Sequence, residues 1–303
     1  MAEGSESPNG NSMVYLYDIE NRRLLPKHGK IHYHGKGIQS MAFSADSRFL
    51  VSIGNREDML MSVFDINGGY VSKGMTLQGY AMNAVVVNTY KFNGNEFEFV
   101  TVGNNGKLTI WTYNYSEDPH SLTSEDIMVP ECLENVNLCT ATFTHVLPAP
   151  VKAQYLLIGT MDGALLTFDM SKRQYVDLNP RAKIFDGSEI GVISVKHDSI
   201  VIGTSGGKLM RYPLDGSQVL PTDMNNVLIY DCHAAIISLA MDEFNREGLC
   251  GTEAGQIFYL NFAERMDVEI PVRIVSSSNK NMDAIKCIKF DQPNQNIFVS
   301  ACG

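Results

Sequence analysis

Three groups of residues in this chain have the types that do chemistry, and in each the spacing is wrong for it. Gly203-Thr204-Ser205-Gly206-Gly207-Lys208-Leu209 carries the glycines and lysine of a phosphate-cradling loop. Such a loop needs four residues between its first glycine and the Gly-Lys pair, then Ser or Thr for magnesium, then a helix. Here only three residues separate Gly203 from Gly207, Leu209 follows Lys208, and a strand pattern continues. His28, His32 and His34 are close in sequence, and His32 and His34 fall on one side of an extended chain. No Cys or acid at ligand spacing completes a metal set, so they read as loop or surface histidines. Glu117, Asp118, Glu125, Asp126 and Glu131 make an acidic stretch that reads as a solvated loop rather than an acid–base pair. There is no Gly-x-Ser-x-Gly elbow and no Cys/His dyad. The assignment is therefore catalytic residues none, cofactor residues none and metal ligands none, with partner-binding residues unknown, because loop geometry does not follow from periodicity.

The elements that would position any site repeat. Six times a small-residue or apolar strand end runs into a glycine read as opening a turn: Gly54, Gly103, Gly159, Gly203, Gly251 and Gly303, at intervals of 49, 56, 44, 48 and 52 residues. After the first five comes an aromatic, Phe64, Trp111, Phe168, Tyr212 and Tyr259. The best copy predicts strands over Ile38–Phe43, 49–53, 59–65 and 70–77, with a turn at 44–48 built from residues that bond their own backbone. Further copies run over 81–130, 138–187, 190–231 and 235–275, and 116–137 reads as an insertion between outer strands. Four short strands per period of this length are the signature of a propeller blade. Kelch-type repeats need a Gly-Gly at one fixed place in each copy, whereas Gly68-Gly69 and Gly206-Gly207 fall at different places. The expected fold is all-β, a propeller of five complete four-stranded blades with half-blades at both ends.

Composition narrows the function. With 303 residues and 44% apolar content the chain suits a globular core, and a formal charge of −10 disfavours non-specific binding to nucleic acid or anionic lipid. The longest apolar run, near 234–241, is far short of a membrane helix, so no membrane and no small-molecule substrate is expected. Residues 1–12 read as a disordered leader without a secretory pattern, and 13–303 as the propeller. The cysteines Cys132, Cys139, Cys232, Cys250, Cys287 and Cys302 show no metal-type pairing and read as buried, reduced thiols. The sequon at Asn114-Tyr115-Ser116 reads as chance.

At the ends, 13–18 looks like a third strand with no first or second before it, and 285–290 with 297–302 look like a first and second strand. Either the halves pair into one hybrid blade, closing a six-bladed ring, or the chain is part of a longer propeller protein; the second reading is favoured.

Aromatic-Asp strand ends such as Tyr17-Asp18 and Phe168-Asp169, and the stretch Ile38–Phe43 with Ser44-Ala45-Asp46-Ser47-Arg48-Phe49-Leu50-Val51-Ser52, look like WD40 repeats. The order of Tyr17–Leu25, His28-Gly29-Lys30-Ile31, Val102-Gly103-Asn104-Asn105-Gly106 through Trp111, and Ile158-Gly159-Thr160-Met161-Asp162-Gly163 resembles the N-terminal half of the cilia- and flagella-associated protein 52 family. That resemblance, from about Met13 to the end, implies two tandem seven-bladed rings inside the doublet microtubule, so 285–303 would begin a second ring. It implies a non-catalytic scaffold of motile cilia and flagella, a microtubule inner protein binding tubulin and other axonemal proteins, located in the cytoplasm, cytoskeleton and axoneme. Several copies lack the His, Asp and Trp that buttress standard blades; the resemblance implies His233, just before the strand at 236–241, as one buttress, and Trp111 is the sole tryptophan. The alternative is a general cytosolic WD-repeat adaptor that reads a peptide or protein partner, and a third reading, a propeller enzyme, would need charged residues converging on the axis.

Overall fold

Strands with both faces covered read as unbroken apolar runs, and the middle strands of this protein do so. The computed structural model describes residues 2–5, 12–18, 21, 23–25, 28–77, 79, 81–116, 119–127, 129, 132–133, 136–137, 139–149, 152–176, 187–196, 198–214, 228–262, 273–275, 284–290 and 298–302. Every described element is a β-strand. The chain divides into two compact units, Met1–Pro148 and Ala149–Gly303.

In the first unit, Ile38–Phe43, Phe49–Gly54, Leu60–Asp65 and Tyr70–Thr76 form an antiparallel meander in chain order. Met82–Asn93, Glu96–Gly103, Leu108–Asn114 and Ser121–Asp126 form the next. Phe143–Pro148 closes the first unit beside Met82–Asn93, and the second unit opens with the meander Tyr155–Thr160, Leu165–Asp169 and Gln174–Tyr175. In the second unit, Ile190–Val195, Ser199–Thr204, Lys208–Pro213 and Leu228–Asp231 form a sheet, as do Ile236–Met241, Glu247–Thr252, Ile257–Asn261 and Arg273–Val275. Ile285–Phe290 pairs with Phe298–Cys302 in a two-stranded sheet. The five expected four-strand copies are all present.

Within each unit the first strands of successive sheets lie side by side: Ile38–Phe43 with Met82–Asn93, Ile190–Val195 with Ile236–Met241, and Ile236–Met241 with Ile285–Phe290. The first strand is therefore innermost. The second strand, fully buried at Phe49–Gly54, fills the sheet-to-sheet core, and the fourth, largely exposed at Tyr70–Thr76, lies outermost. Burying each of these large apolar side chains contributes about 1.5–3 kcal/mol, which is what makes one sheet depend on the next.

The recurring glycines have a different role from the one expected. Gly54, Gly103, Gly159, Gly203 and Gly251 lie at the ends of second strands with ordinary backbone angles, not in the turns. Two of them are small because the next sheet's first strand packs on them: a Cβ at Gly203 would sit 2.7 Å from Ile236 Cγ2, and one at Gly251 2.5 Å from Ile285 Cγ2, whereas at Gly54 it would meet Asp58 and at Gly103 the Ala81 carbonyl. The turn itself is made three residues further on. Thr160, Thr204 and Thr252 each accept a bond from a positive-φ glycine, Gly163, Gly207 and Gly255, at 3.1 Å. Each threonine hydroxyl also accepts the next backbone N–H, from Ala164, Lys208 and Gln256. The aromatic-Asp ending has a parallel explanation. Asp65 accepts Gly68 N–H at 2.8 Å and Asp169 accepts Ser171 N–H at 2.8 Å, closing the turn to the outer strand.

Two expectations are corrected at the N-terminal sheet and the acidic stretch. A strand does precede Met13–Asp18: Ala2–Ser5 pairs with it from Ala2↔Leu16 to Ser5↔Met13, inside the stretch read as a disordered leader, while Lys30–His32 and Arg23–Leu24 pair with its other edge. An apolar strand with Val14 and Leu16 buried leaves two edges to satisfy, and Ala2–Ser5 satisfies one. The remainder of the leader, 6–11, and Glu117, Asp118 and Glu131 lie outside the described residues. The stretch read as an insertion contains the fourth strand Ser121–Asp126 and the small hairpin Cys132–Leu133 with Val136–Asn137. Its alternating small and polar residues suit an outer strand whose far face meets water.

Candidate functional site

The histidines are where the structure departs most from the expectation. His34 is 4% exposed, not a loop or surface side chain. Its Nδ1–H faces Asp58 Oδ2 at 2.7 Å, its Nε2 lies 2.8 Å from the Ser52 hydroxyl, and the Ser52 and Ser62 hydroxyls meet at 2.8 Å; the carboxylate, an acceptor, places a proton on Nδ1. Asp58 Oδ1 also accepts the N–H of Gly35 at 2.6 Å and of Lys36 at 3.0 Å. The relay thus ties the segment before the first strand and the turn after the second to the two middle strands. Both Ser52 and Ser62 are buried, so the relay presents no nucleophile to a substrate and acts as a buttress. His32 is exposed on an outer strand, and the three histidines do not converge. His233 is corrected too: its side chain is 86% exposed, with positive φ and a contact to Asp231 at 3.1 Å, so it buttresses nothing. A sequence signal for His34 existed, namely a His-Gly four residues before a first strand with Ser in the second strand and Asp in the following turn.

In the adjoining sheet the buttress has another form. Trp111 Nε1–H donates to Thr101 Oγ1 at 2.8 Å, and its ring stacks on Phe99. The two sheets are fastened where Ser72 Oγ, Tyr113 OH and His120 Nδ1 form a triangle of 2.5, 2.7 and 2.9 Å. Burial, the largest influence, raises the Tyr113 hydroxyl above its ordinary value.

Beside this seam lies Asp126, one of the acids of the stretch read as a solvated loop. Asp126 ends the fourth strand, accepts Thr109 Oγ1–H at 2.8 Å and pairs with the Lys107 ammonium. Burial pushes its carboxyl up, but the bonds from Lys107 and Thr109 and the Lys107 charge outweigh that and leave it below the usual carboxylate range. A cavity of about 310 Å³ opens against this pair, with Met75, Leu77, Met82 and Trp111 among its lining.

The phosphate-loop look-alike is a Thr-x-x-Gly turn leading into the strand Lys208–Pro213, with no helix to receive a phosphate. Of the cysteines, Cys232 and Cys250 are buried in one core cluster as expected, whereas Cys139 and Cys287 are exposed. A hydrogen bond between the two buried thiols lowers Cys232 and raises Cys250. Among the described residues, no three His, Cys, Asp or Glu side chains gather as a metal site, and no helix is long and apolar enough to cross a membrane.

No family model matches the chain. Cilia- and flagella-associated protein 52 of Chlamydomonas reinhardtii is 22% identical over 78% of this chain, and WD repeat-containing protein 90 of Xenopus tropicalis is 21% identical over 93%. The chain spans only 34% and 15% of those relatives' lengths. Centriole proteome protein 16 of Chlamydomonas reinhardtii is 34% identical over 27% of the chain. Among solved structures, the Myceliophteria thermophila Cps50 (Swd1) β-propeller domain superposes with a TM-score of 0.70 at 12% identity, covering 99% of this chain and 89% of that one. The fold is a WD40-type β-propeller, and homologues named as cilia- and flagella-associated protein 52 and WD repeat-containing protein 90 cover most of the chain.

Proposed function

We propose that this chain is a non-catalytic propeller scaffold of motile cilia and flagella, a microtubule inner protein that holds tubulin and neighbouring axonemal proteins through its loop faces and sheet edges. The observation that carries the reading is the alignment of cilia- and flagella-associated proteins along 78–83% of the chain, from alga and human alike. The polar clusters support it: the His34 relay and the Ser72–Tyr113–His120 triangle are spent on holding sheets together. A charge of −10 is unsuited to simple adsorption on an acidic microtubule exterior and compatible with shape-matched docking inside. The test is a tagged full chain in a motile ciliated cell. Signal along detergent-extracted axonemes that resists a salt wash is expected; signal confined to the soluble fraction overturns the reading. A second location, the centriole at the ciliary base, is favoured by the 34% identity to the centriolar protein, and signal restricted to the base would select it.

A further inference from the structure

The seam between the 38–76 and 82–126 sheets is fastened at one end and open at the other. Ser72 holds the outer strand Tyr70–Thr76 to Tyr113 and His120. Four residues on, the same strand diverges from Leu108–Asn114 and Ser121–Asp126, and the 310 Å³ cavity occupies the gap. Met75, Leu77, Met82 and Trp111 form its apolar part, and Thr76, Thr109 and Ser124 line the rest beside the ion pair. The indole N–H of Trp111 is already given to Thr101, so the ring offers the groove hydrocarbon alone. The rim carries one ion pair, unevenly covered: the Lys107 side chain is 20% exposed and that of Asp126 60%. The charge presented outward is the carboxylate. Bordering the groove, Ser121–Asp126 is an edge strand among the described residues, its ladder partner there being Leu108–Asn114, and an edge strand is a surface on which another extended chain can add.

We propose that this groove docks an extended, basic segment of a partner protein. The segment adds along the Ser121–Asp126 edge, buries one aliphatic or methionine side chain against Met75, Leu77, Met82 and Trp111, and sets a lysine or arginine against Asp126. In a strand, residues two apart share a face, so anchor and cation stand at i and i+2. Charge complementarity selects this occupant, because the more exposed partner of the rim's ion pair is the Asp126 carboxylate and the whole chain carries −10. The inference rests on the groove and not on where in the cell the protein works.

The test uses the full chain against an array of ten-residue peptides without tryptophan, varied in anchor and in Lys, Arg or Glu at i+2. Enrichment of aliphatic–x–basic peptides is expected, and the best of them shifts the emission of Trp111, the chain's single tryptophan. Thr76→Trp at the exposed rim, read by fluorescence polarisation, weakens binding at least tenfold, and Asp126→Lys transfers the preference to Glu peptides. Both positions are exposed, and a single cooperative melt of each variant, shifted down for Asp126→Lys by the loss of its ion pair, confirms that it folds. No enriched class, enriched peptides that bind both variants as they bind wild type, or a silent Trp111 would each overturn the proposal. So would a dimer in sedimentation that Thr76→Trp abolishes, since the groove would then hold a second copy.

Discussion

Two seams between neighbouring sheets solve the same packing problem with different side chains. Between the 38–76 and 82–126 sheets the core is aromatic: Phe49 lies 5.5 Å from Phe97 and 5.1 Å from Tyr113, with Trp111 stacked on Phe99. Between the 190–231 and 236–275 sheets aliphatic and thiol groups, Val201, Leu209, Ile236, Cys250 and Leu260, share the core with the rings of Phe258 and of Tyr230 and Phe262, the last two 5.4 Å apart. Each seam has a polar fastener, but at different places. The first uses the half-buried Ser72–Tyr113–His120 triangle. The second uses Asn245, fully buried in a turn with φ of 52°, which accepts the Ser194 hydroxyl at 2.7 Å and donates to the Ser199 carbonyl at 3.0 Å, while its own carbonyl takes Arg211 Nε–H at 2.9 Å. Apolar area supplies the bulk of cohesion in both, and the polar group sets the alignment. Bulky rings also leave gaps where strands diverge, and the groove lies beside the aromatic seam.

The comparison can be broken by substitution. Phe97→Ala should cost about 4 kcal/mol in urea unfolding, the upper range for a core aromatic, because the surrounding rings cannot close the hole. Asn245→Ala should cost about 3 kcal/mol, combining orphaned buried partners with a left-handed backbone angle; Asn245→Gly relieves the backbone strain and should lose less. A loss for Asn245→Ala no larger than for an exposed residue would remove the second seam's fastener. Asp58→Ala should cost about 3 kcal/mol, leaving His34 and two backbone N–H groups without their acceptor.

Smaller effects sharpen the electrostatics. Asp126 has its carboxyl held below its ordinary value of 3.8. Its contribution is therefore present above that pH and is lost as pH falls through the lower folded value. Asp126→Asn should flatten the pH dependence of stability in that acid window and lose its effect in high salt. His233→Ala should change stability by less than about 0.5 kcal/mol, as for other exposed positions; a large loss would restore it as a buttress.

Much of the fold was legible because stacked sheets repeat one burial pattern. The apolar runs at Phe49–Gly54 and Ser199–Thr204 and the aromatic-Asp endings recur at a period that a chain of this composition has no other reason to keep. The site was less legible. His34 and His233 are both histidines shortly before a first strand, and what separates them is the Gly35 that follows His34 and the Ser52 and Asp58 it reaches, partners that lie 18 and 24 residues away and gain meaning only in the fold. The strand Ser121–Asp126 was hidden by its acids, since an outer strand packs only a residue or two, here Leu122, on the core and shows the rest to water.

What the sequence alone determined was the module: period, strand number per copy, and the small residues where one sheet meets the next. These are local or nearest-neighbour properties, written in alternation and in glycine spacing. Only the tertiary structure decided which polar residues became buttresses, which glycines are small for packing rather than for turning, and that a groove opens beside Trp111. Those depend on distances between residues tens of positions apart, and small differences in side-chain volume move them without altering the repeat.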